Sequence, residues 1–380
     1  MSGTFAVVTG GGTAGHVLPA LAIAEALVAA GHPLGSVHYV GTTRGIESTL
    51  VPQTGYPHTL LDVVGLQRRL TRRNLMFLPR MVSAVRRATR LLESLRPAVV
   101  VNLGGYGSFP ATWAARRLGI PYVVVSYDRT PGLVSRLLAP GAAAVAAATA
   151  GSPLPNAVVT GAPVRQALVA LDRERARSAA RAALGLPSDR FVVAVVGGSL
   201  GAVAVNRAVV GAVDLLAGRH DLAVYHVVGP RNLAAAAPAR DGASGILYAV
   251  TGFEDRMPEV YSAADLMVTR AGAGTIAELA TVGAPAIIVP WPGAAAHHQA
   301  ENARVLADVG GAIVIDESDL TAEWLAAEIQ RLAADPRSVS AMADQSRRAG
   351  ELHRSGALAE LIERVGRAGR SSDNSGGDVA

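Results

Sequence analysis

Cysteine is absent from this 380-residue chain, which excludes disulfides, thiolate-held metals and a cysteine nucleophile. Lysine is absent too: all 35 basic residues are arginine, so P-loop lysines, Schiff-base lysines and lysine general bases are excluded. Aromatics make up 4% of the chain (Phe 5, Trp 3, Tyr 8), too few for the stacking surfaces of a nucleic-acid binder, and no nucleic-acid partner is expected. No uninterrupted apolar run reaches the roughly 18–20 residues that span a bilayer. The alanine-rich stretch Gly141–Ala150 comes nearest and ends at Gly151, Ser152 and Pro153. The opening Met1-Ser-Gly-Thr has no basic region before its first apolar run, so no signal peptide is read. The expectation is a cytoplasmic protein that can still rest on a membrane.

What is present suits a folded chain of two domains. Half of the residues are hydrophobic and 17% charged, with 41 Gly and 21 Pro. A net charge of +5 and an isoelectric point near 9.9 fit an anionic partner, either nucleotide phosphate or an acidic membrane surface. Short β-branched runs alternate with Ala/Leu/Arg-rich stretches: Phe5–Thr9, Val37–Val40, Val99–Asn102, Tyr122–Ser126 and Val158–Thr160, then Phe191–Val196, Ala223–Val227, Ile246–Val250, Leu266–Val268, Ala286–Val289 and Ala312–Ile315. Continuous apolar strands between helices predict parallel sheets covered on both faces.

The series restarts midway. Val7-Val8-Thr9 runs into Gly10-Gly11-Gly12, and Val195-Val196 runs into Gly197-Gly198-Ser199. The pattern predicts two doubly wound, Rossmann-like domains facing across a cleft, over residues 1–163 and 164–345. The tail 367–380, rich in Gly and Ser, reads as disordered.

Gly10-x-Gly12-x-x-Gly15 matches the dinucleotide fingerprint, but the strand His38-Tyr39-Val40 runs into Gly41-Thr42-Thr43-Arg44 with no carboxylate for a ribose. Arg44 leaves an NADP-dependent oxidoreductase open, and the glycines taken alone are equally consistent with tight strand-to-helix turns.

Gly11-Gly12-Thr13-Ala14-Gly15-His16-Val17-x-Pro19-Ala20 resembles the N-terminal signature of the MurG family. The resemblance continues through Gly41-Thr-x-Arg44-Gly45-x-Glu47, Gly104-Gly105-Tyr106-x-Ser108-x-Pro110, Gly161-x-Pro163-Val164-Arg165, and Gly197-Gly198-Ser199-x-Gly201-Ala202 with Asn206. It ends with Arg270-x-Gly272-Ala273-x-Thr275-x-x-Glu278 and His298-Gln299-x-x-Asn302-Ala303. This family transfers N-acetylglucosamine (GlcNAc) from UDP to the muramoyl 4-hydroxyl of lipid I, making lipid II for the peptidoglycan cell wall, with inversion. The resemblance implies the GT-B fold, with a C-terminal helix (about 346–366) crossing back to the first domain. It also implies a peripheral position on the cytoplasmic face of the cell membrane, and a role in cell shape and division.

On the donor side, the small residues Ala273, Gly274, Thr275, Ile276 and Ala277 let backbone N–H groups at a helix start approach a diphosphate. The chain has no Asp-x-Asp clamp, and metal-independent chemistry without a cofactor is expected. By resemblance Glu278 takes the ribose hydroxyls, Gln299 with His298 beside it takes the GlcNAc hydroxyls, and Arg165 and Ser199 touch the nucleotide phosphates. Arg165 reads equally as a structural salt bridge. Phe253 and Glu254 match the stretch whose backbone reads uracil. The pair His297-His298 is a poor metal site, since neighbours on a helix diverge by about 100°.

On the acceptor side, transfer to a hydroxyl needs a base. His16 is the first candidate and Asp128 the alternative. Thr13, Ala14 and Gly15, with Gly12, would offer N–H groups to the acceptor diphosphate, and Gly104, Gly105 and Tyr106 form a further acceptor-side loop. One segment departs from the family: Val125-Ser126-Tyr127-Asp128 stands where His-Glu-Gln-Asn is usual, Ala162 replaces an Asn, and Leu200 replaces a Gln. A paralogue with another acceptor or UDP-sugar is therefore kept open, as is a non-catalytic UDP-sugar binder. Finally, Arg68, Arg69, Arg72 and Arg73 interleave with Leu75 and Phe77, and Arg86, Arg87 and Arg90 follow. They read as a docking surface for anionic lipid or as a solvated basic helix.

Overall fold

A strand that is apolar at every residue has to be covered on both faces, and the Val/Ala runs meet that demand in two parallel sheets. The computed structural model describes residues 3–12, 14–63, 65, 77–198, 202–243, 245–294 and 298–374. The first sheet contains β1 (Ala6–Thr9), β2 (Val37–Thr42), β3 (His58–Leu61), β4 (Val99–Asn102), β5 (Tyr122–Ser126), β6 (Ala144–Ala147) and β7 (Ala157–Val159). Its spatial order is β3-β2-β1-β4-β5-β6-β7, with every pairing parallel. The second contains β8 (Phe191–Val196), β9 (Leu222–Val227), β10 (Arg240–Asp241), β11 (Leu247–Thr251), β12 (Leu266–Thr269), β13 (Ala286–Ile288) and β14 (Ala312–Val314). Its order is β10-β11-β9-β8-β12-β13-β14, and β10 alone runs antiparallel to its neighbour.

β3, β6 and β10 fall outside the strands that the sequence pattern predicts. β6 reads Ala-Val-Ala-Ala, and alanine carries little strand propensity of its own. Pairing with both β5 and β7 makes it a strand.

The chain divides into two units, residues 1–166 with 352–380, and residues 167–351. In the first, α1 (Ala14–Ala29) covers one face of the sheet, while α2 (Phe77–Leu95) and α3 (Phe109–Leu118) pack with the core on the other. In the second lie α4 (Arg173–Ala183), α5 (Val203–Leu215), α6 (Ala273–Val282), α7 (His298–Ala307) and α8 (Pro336–Ala349). The final helix, α9 (Ala357–Asn374), belongs to the first unit, where Leu358, Leu361 and Ile362 join Phe5 and Leu27 in one cluster. Each such side chain contributes about 1.5–3 kcal/mol by leaving water.

Two expectations change here. The boundaries fall at 166/167 and 351/352 instead of 163/164 and 345/346. Residues 346–349 stay in the second unit because buried Ser346 donates its hydroxyl to the Leu279 carbonyl at 3.0 Å. Residues 367–374, expected to be disordered, are helical. The glycines that suggested disorder serve close packing: a Cβ on Gly366 would lie 3.0 Å from the Phe5 ring, and one on Gly369 2.7 Å from Pro121.

Strand order reverses once in each sheet, between β1 and β4 and between β8 and β12. The crevice beyond the carboxyl ends of such a strand pair is where open α/β sheets bind ligands. Gly10–Gly12 follows β1 and Gly104–Gly105 follows β4; Gly197–Gly198 follows β8 and Arg270–Gly272 follows β12.

Candidate active site

In the first unit, the crevice is built on a buried polar network. Asn102, at the end of β4, is fully buried and donates to Thr112 Oγ1 (2.7 Å) and Ser108 Oγ (3.2 Å). Its carbonyl oxygen accepts from the Gly104 amide at 2.7 Å, and Ser108 Oγ donates to the Gly105 carbonyl. All of the side-chain amide's heavy atoms are used, so the Gly104–Gly105 turn is fixed. Gly105, at φ +75°, allows the contact that follows: a Cβ there would lie 2.4 Å from the Gly11 carbonyl and 3.2 Å from the His16 ring. His16 thus lies against Gly104–Gly105, and Tyr106 lies over Gly12.

Two tyrosines hold the first glycine turn. Tyr39 donates to the Gly10 carbonyl at 2.5 Å. Tyr127 donates to the Gly15 carbonyl, the one that Pro19, having no N–H, cannot serve within α1. Asp128 follows Tyr127, and its charge reaches His16. Burial lowers the His16 pKa below the ordinary imidazole value, against Asp128 and then Glu47, which raise it. The neutral form needed to accept a proton is therefore the stable one at neutral pH. Ser126, Tyr127, Asp128, Arg129, Thr149 and Ser152 line a small polar recess at the ends of β5 and β6.

Glu47 is the residue the sequence reading missed as a functional candidate, although it closes a quoted motif. It is fully buried, and Oε1 accepts from the Gly12 amide (2.8 Å) and the Thr42 hydroxyl (2.7 Å). This corrects one expectation: the Gly12 N–H is engaged by an internal carboxylate and is not offered to an acceptor diphosphate. Of the other residues expected there, Ala14 and Gly15 form the first turn of α1, and Thr13 lies outside the described residues. Arg44, once a candidate for a 2′-phosphate, faces Asp62 at 3.4 Å on the surface.

Arg165 is corrected in both position and partner. It belongs to the first unit, where its Nε donates to Glu25 Oε1 at 2.6 Å while Glu25 Oε2 accepts from the Gln166 amide. The pair is a salt bridge within the first unit, where an interdomain one was expected as the alternative.

In the second unit, Gly272 caps α6, whose first turn supplies the amides of Ala273, Gly274 and Thr275, with Ile276 and Ala277 buried behind. A Cβ on Gly274 would meet nothing within 4 Å, so this turn opens onto free space. Glu278 stands one turn along; its Oε2 accepts from Tyr261 at 2.8 Å. Complete burial, then the charge of Glu278, drives the Tyr261 pKa well up, leaving that hydroxyl a fixed donor.

α7 secures the Arg270–Gly272 turn. Gln299 Oε1 accepts from the amides of Ala271 (3.2 Å) and Trp291 (2.9 Å), and buried Asn302 donates to the Ala271 carbonyl at 3.2 Å. The expected sugar contact of Gln299 is thereby narrowed to its NH₂, since both lone pairs of the carbonyl are in use. His298 opens α7 beside it, while His297 and Ser199 lie outside the described residues. Arg270 ion-pairs with Glu317 and donates to the Val289 carbonyl.

Phe253 extends into solvent at 64% exposure, and its carbonyl accepts from Thr251 Oγ1. The Glu254 side chain is turned inward. Burial would raise its pKa, but hydrogen bonds from Arg256 and Tyr225 outweigh that and hold it at about 2. The Glu254 side chain is thus committed to internal partners, and the exposed groups here are the Phe253 ring and the backbone.

Phe77 begins α2 half-buried, and Leu78 and Val82 are exposed beside Arg86, Arg87 and Arg90. Arg68, Arg69, Arg72, Arg73 and Leu75 lie outside the described residues. Among the described residues no helix is long and apolar enough to cross a membrane.

Comparison with known proteins adds the following. The glycosyltransferase family 28 N-terminal domain profile matches residues 6–147, and the family 28 C-terminal domain profile residues 192–359. A protein of Paenarthrobacter aurescens (strain TC1) is 40% identical over 94% of this chain and 95% of its own length. One of Rhodococcus jostii (strain RHA1) is 41% identical over 92% and 93%. Both carry the name UDP-N-acetylglucosamine–N-acetylmuramyl-(pentapeptide) pyrophosphoryl-undecaprenol N-acetylglucosamine transferase. Among solved structures, Acinetobacter baumannii MurG aligns with a TM-score of 0.71 at 27% identity, over 96% of this chain and 100% of its own. The calicheamicin glycosyltransferase CalG4, at 16% identity and a TM-score of 0.66, shares the fold.

Proposed function

Because this chain belongs to glycosyltransferase family 28, matched in both halves, we propose that it moves GlcNAc from UDP-GlcNAc to the N-acetylmuramoyl 4-hydroxyl of lipid I, yielding lipid II. The observation that carries the reading is identity near 40% across about 95% of relatives named for that transfer. The work is peptidoglycan synthesis, and with it cell-wall growth and division.

On this reading the second unit binds the donor. The uracil meets backbone at Phe253–Glu254, the ribose hydroxyls meet Glu278, and the diphosphate meets the first turn of α6. Amide N–H groups and the helix dipole there stabilise the negative charge that builds on departing UDP. The NH₂ of Gln299 donates to a sugar hydroxyl. The first unit presents His16, neutral and flanked by Asp128, to take the acceptor's proton as its oxygen attacks the anomeric carbon. Arrangement of the charge by fixed dipoles supports chemistry without a metal ion, and turnover in EDTA equal to that in magnesium is the expected result.

A donor screen tests the whole reading. With lipid I as acceptor, UDP-GlcNAc should react far faster than UDP-GalNAc or UDP-glucose. Preference for another sugar, or no lipid product with any, overturns it; the segment Val125-Ser126-Tyr127-Asp128 would then mark a different substrate. The lipid-linked acceptor also calls for a position on the cytoplasmic membrane surface, supported by the arginines and exposed Leu78 and Val82 of α2. Replacing Arg86, Arg87 and Arg90 with Gln should lower binding to anionic vesicles; unchanged binding would make this a solvated helix face.

A further inference from the structure

Glu47 lies at the carboxyl edge of β2, fully buried, directly below the turn that leads into His16. Two observations set it apart from a structural carboxylate. One oxygen, Oε1, carries both of its hydrogen bonds, to the Gly12 amide and the Thr42 hydroxyl. The other, Oε2, is buried with no hydrogen-bond partner among the described residues. Buried carboxylate oxygens are normally satisfied, and one that is not has no local donor to absorb its field, so it acts on neighbours through a low-dielectric setting. Glycine surrounds it: a Cβ on Gly11 would lie 2.7 Å from Oε1 and one on Gly45 2.8 Å from Oε2, so the backbone is shaped to admit this carboxylate.

We propose that Glu47 is a positioning residue of the transfer reaction: through the Gly12 amide it fixes the turn that carries His16, and its buried charge stabilises the imidazolium that His16 becomes. The inference rests on His16 being the base. In the step concerned, the acceptor oxygen forms a bond to the anomeric carbon as the bond to the UDP oxygen breaks. The leaving electron pair goes to UDP, and the hydroxyl proton goes to His16. The imidazole then carries a positive charge, flanked by two carboxylates from different elements: Asp128 after β5 and Glu47 after β2. Among the described residues, other polar groups near it include Tyr127, edge-on to the ring at 6.5 Å, Ser135 Oγ, which abuts Gly104 together with the ring, and Tyr106 over Gly12, while Arg44 is engaged with Asp62. Both carboxylates act in the same direction, favouring the charged ring against its burial.

The test is the pH profile of kcat at saturating UDP-GlcNAc and lipid I. Glu47→Gln keeps an oxygen for the Gly12 amide and removes the charge. Its acidic limb should move about half a unit to one unit lower, with the plateau falling about tenfold and the KM for UDP-GlcNAc unchanged. Glu47→Asp should restore the limb. An acidic limb at the wild-type pH in Glu47→Gln overturns the proposal. Should Glu47→Gln not fold, the carboxyl carbon of Glu47 is followed by NMR in the wild-type enzyme. A Glu47 carboxyl resonance that shifts as His16 titrates is expected, and an unresponsive one overturns the proposal. His16→Ala separates the two ideas: retained turnover there removes the base itself, whereas lost turnover with an unmoved Glu47→Gln limb removes only the role of Glu47.

Discussion

The hydroxyl of Tyr127 donates to the Gly15 carbonyl, which Pro19 leaves without its partner inside α1. A proline in a helix normally leaves the carbonyl four residues earlier unserved. Here a side chain from the end of β5 supplies the missing donor, and it does so at the residue preceding His16. Tyr127→Phe keeps the ring and removes the donor. It should cost about 1 kcal/mol of stability and lower kcat several-fold with little change in donor KM. Wild-type kcat in that variant would show that the tie does not position His16.

On the donor side the corresponding support is Tyr261 beneath Glu278. Glu278→Ala should raise the KM for UDP-GlcNAc sharply, because the ribose hydroxyls lose a charged acceptor. Tyr261→Phe should raise it less, roughly three- to tenfold, since the carboxylate remains but loses the bond that orients it. Steady-state kinetics with UDP-GlcNAc as the varied substrate measure both. Equal KM values for Glu278→Ala and the wild type would remove Glu278 from the site.

Gln299 can be divided into its two functions. Glu at this position still presents an oxygen to the amides of Ala271 and Trp291, but it has no NH₂ to donate to a sugar. Gln299→Glu should therefore unfold close to the wild-type temperature while its KM for UDP-GlcNAc rises about tenfold and its affinity for UDP alone stays the same. A parallel loss of UDP affinity would mean that Gln299 only braces the turn.

The sequence was most legible where chemistry and local geometry coincide. The glycine turns after β1, β4 and β12 fall at the strand ends where the sheets reverse order, because only those crevices need both tight turns and open amides. His16 stands out because it lies on the first of these turns, whereas Asp128 and Glu278 are singled out only by the family resemblance. Less legible were properties that depend on partners distant in sequence. Glu25 pairs with Arg165 across 140 positions, and nothing near either residue announces it. Gly366 and Gly369 read as linker composition until Phe5 and Pro121 are seen against them. Glu47 lay in plain view inside a motif, but its value comes from burial, which no local pattern displays.

Buried histidines give the fold an acid limit that can be located in advance. His226 is fully buried in β9, between Tyr248 (2.9 Å) and Asn206 (3.0 Å), and burial lowers its pKa to about 4. In the unfolded chain it titrates near 6.5, so between those values the unfolded state binds the extra proton. The second unit should hold its full stability above pH 6.5, lose it progressively down to pH 4, and lose no more from this group below that. A depression of this size amounts to roughly 3 kcal/mol by linkage. The first unit has counterparts in His38, lowered to about 4 by burial and then by His58, and His353, lowered to about 4 by burial and then by Arg354, and burial lowers His16 there as well. His353 Nδ1 accepts from the Ala162 amide at 3.0 Å, a bond that protonation of that nitrogen would break. Glu254, held at about 2, protects its loop across this window and yields only at lower pH. Urea unfolding from pH 8 to pH 4 measures the slope, and His226→Gln should flatten the part belonging to the second unit. An unchanged slope in that variant would show that the loss of stability comes from other groups.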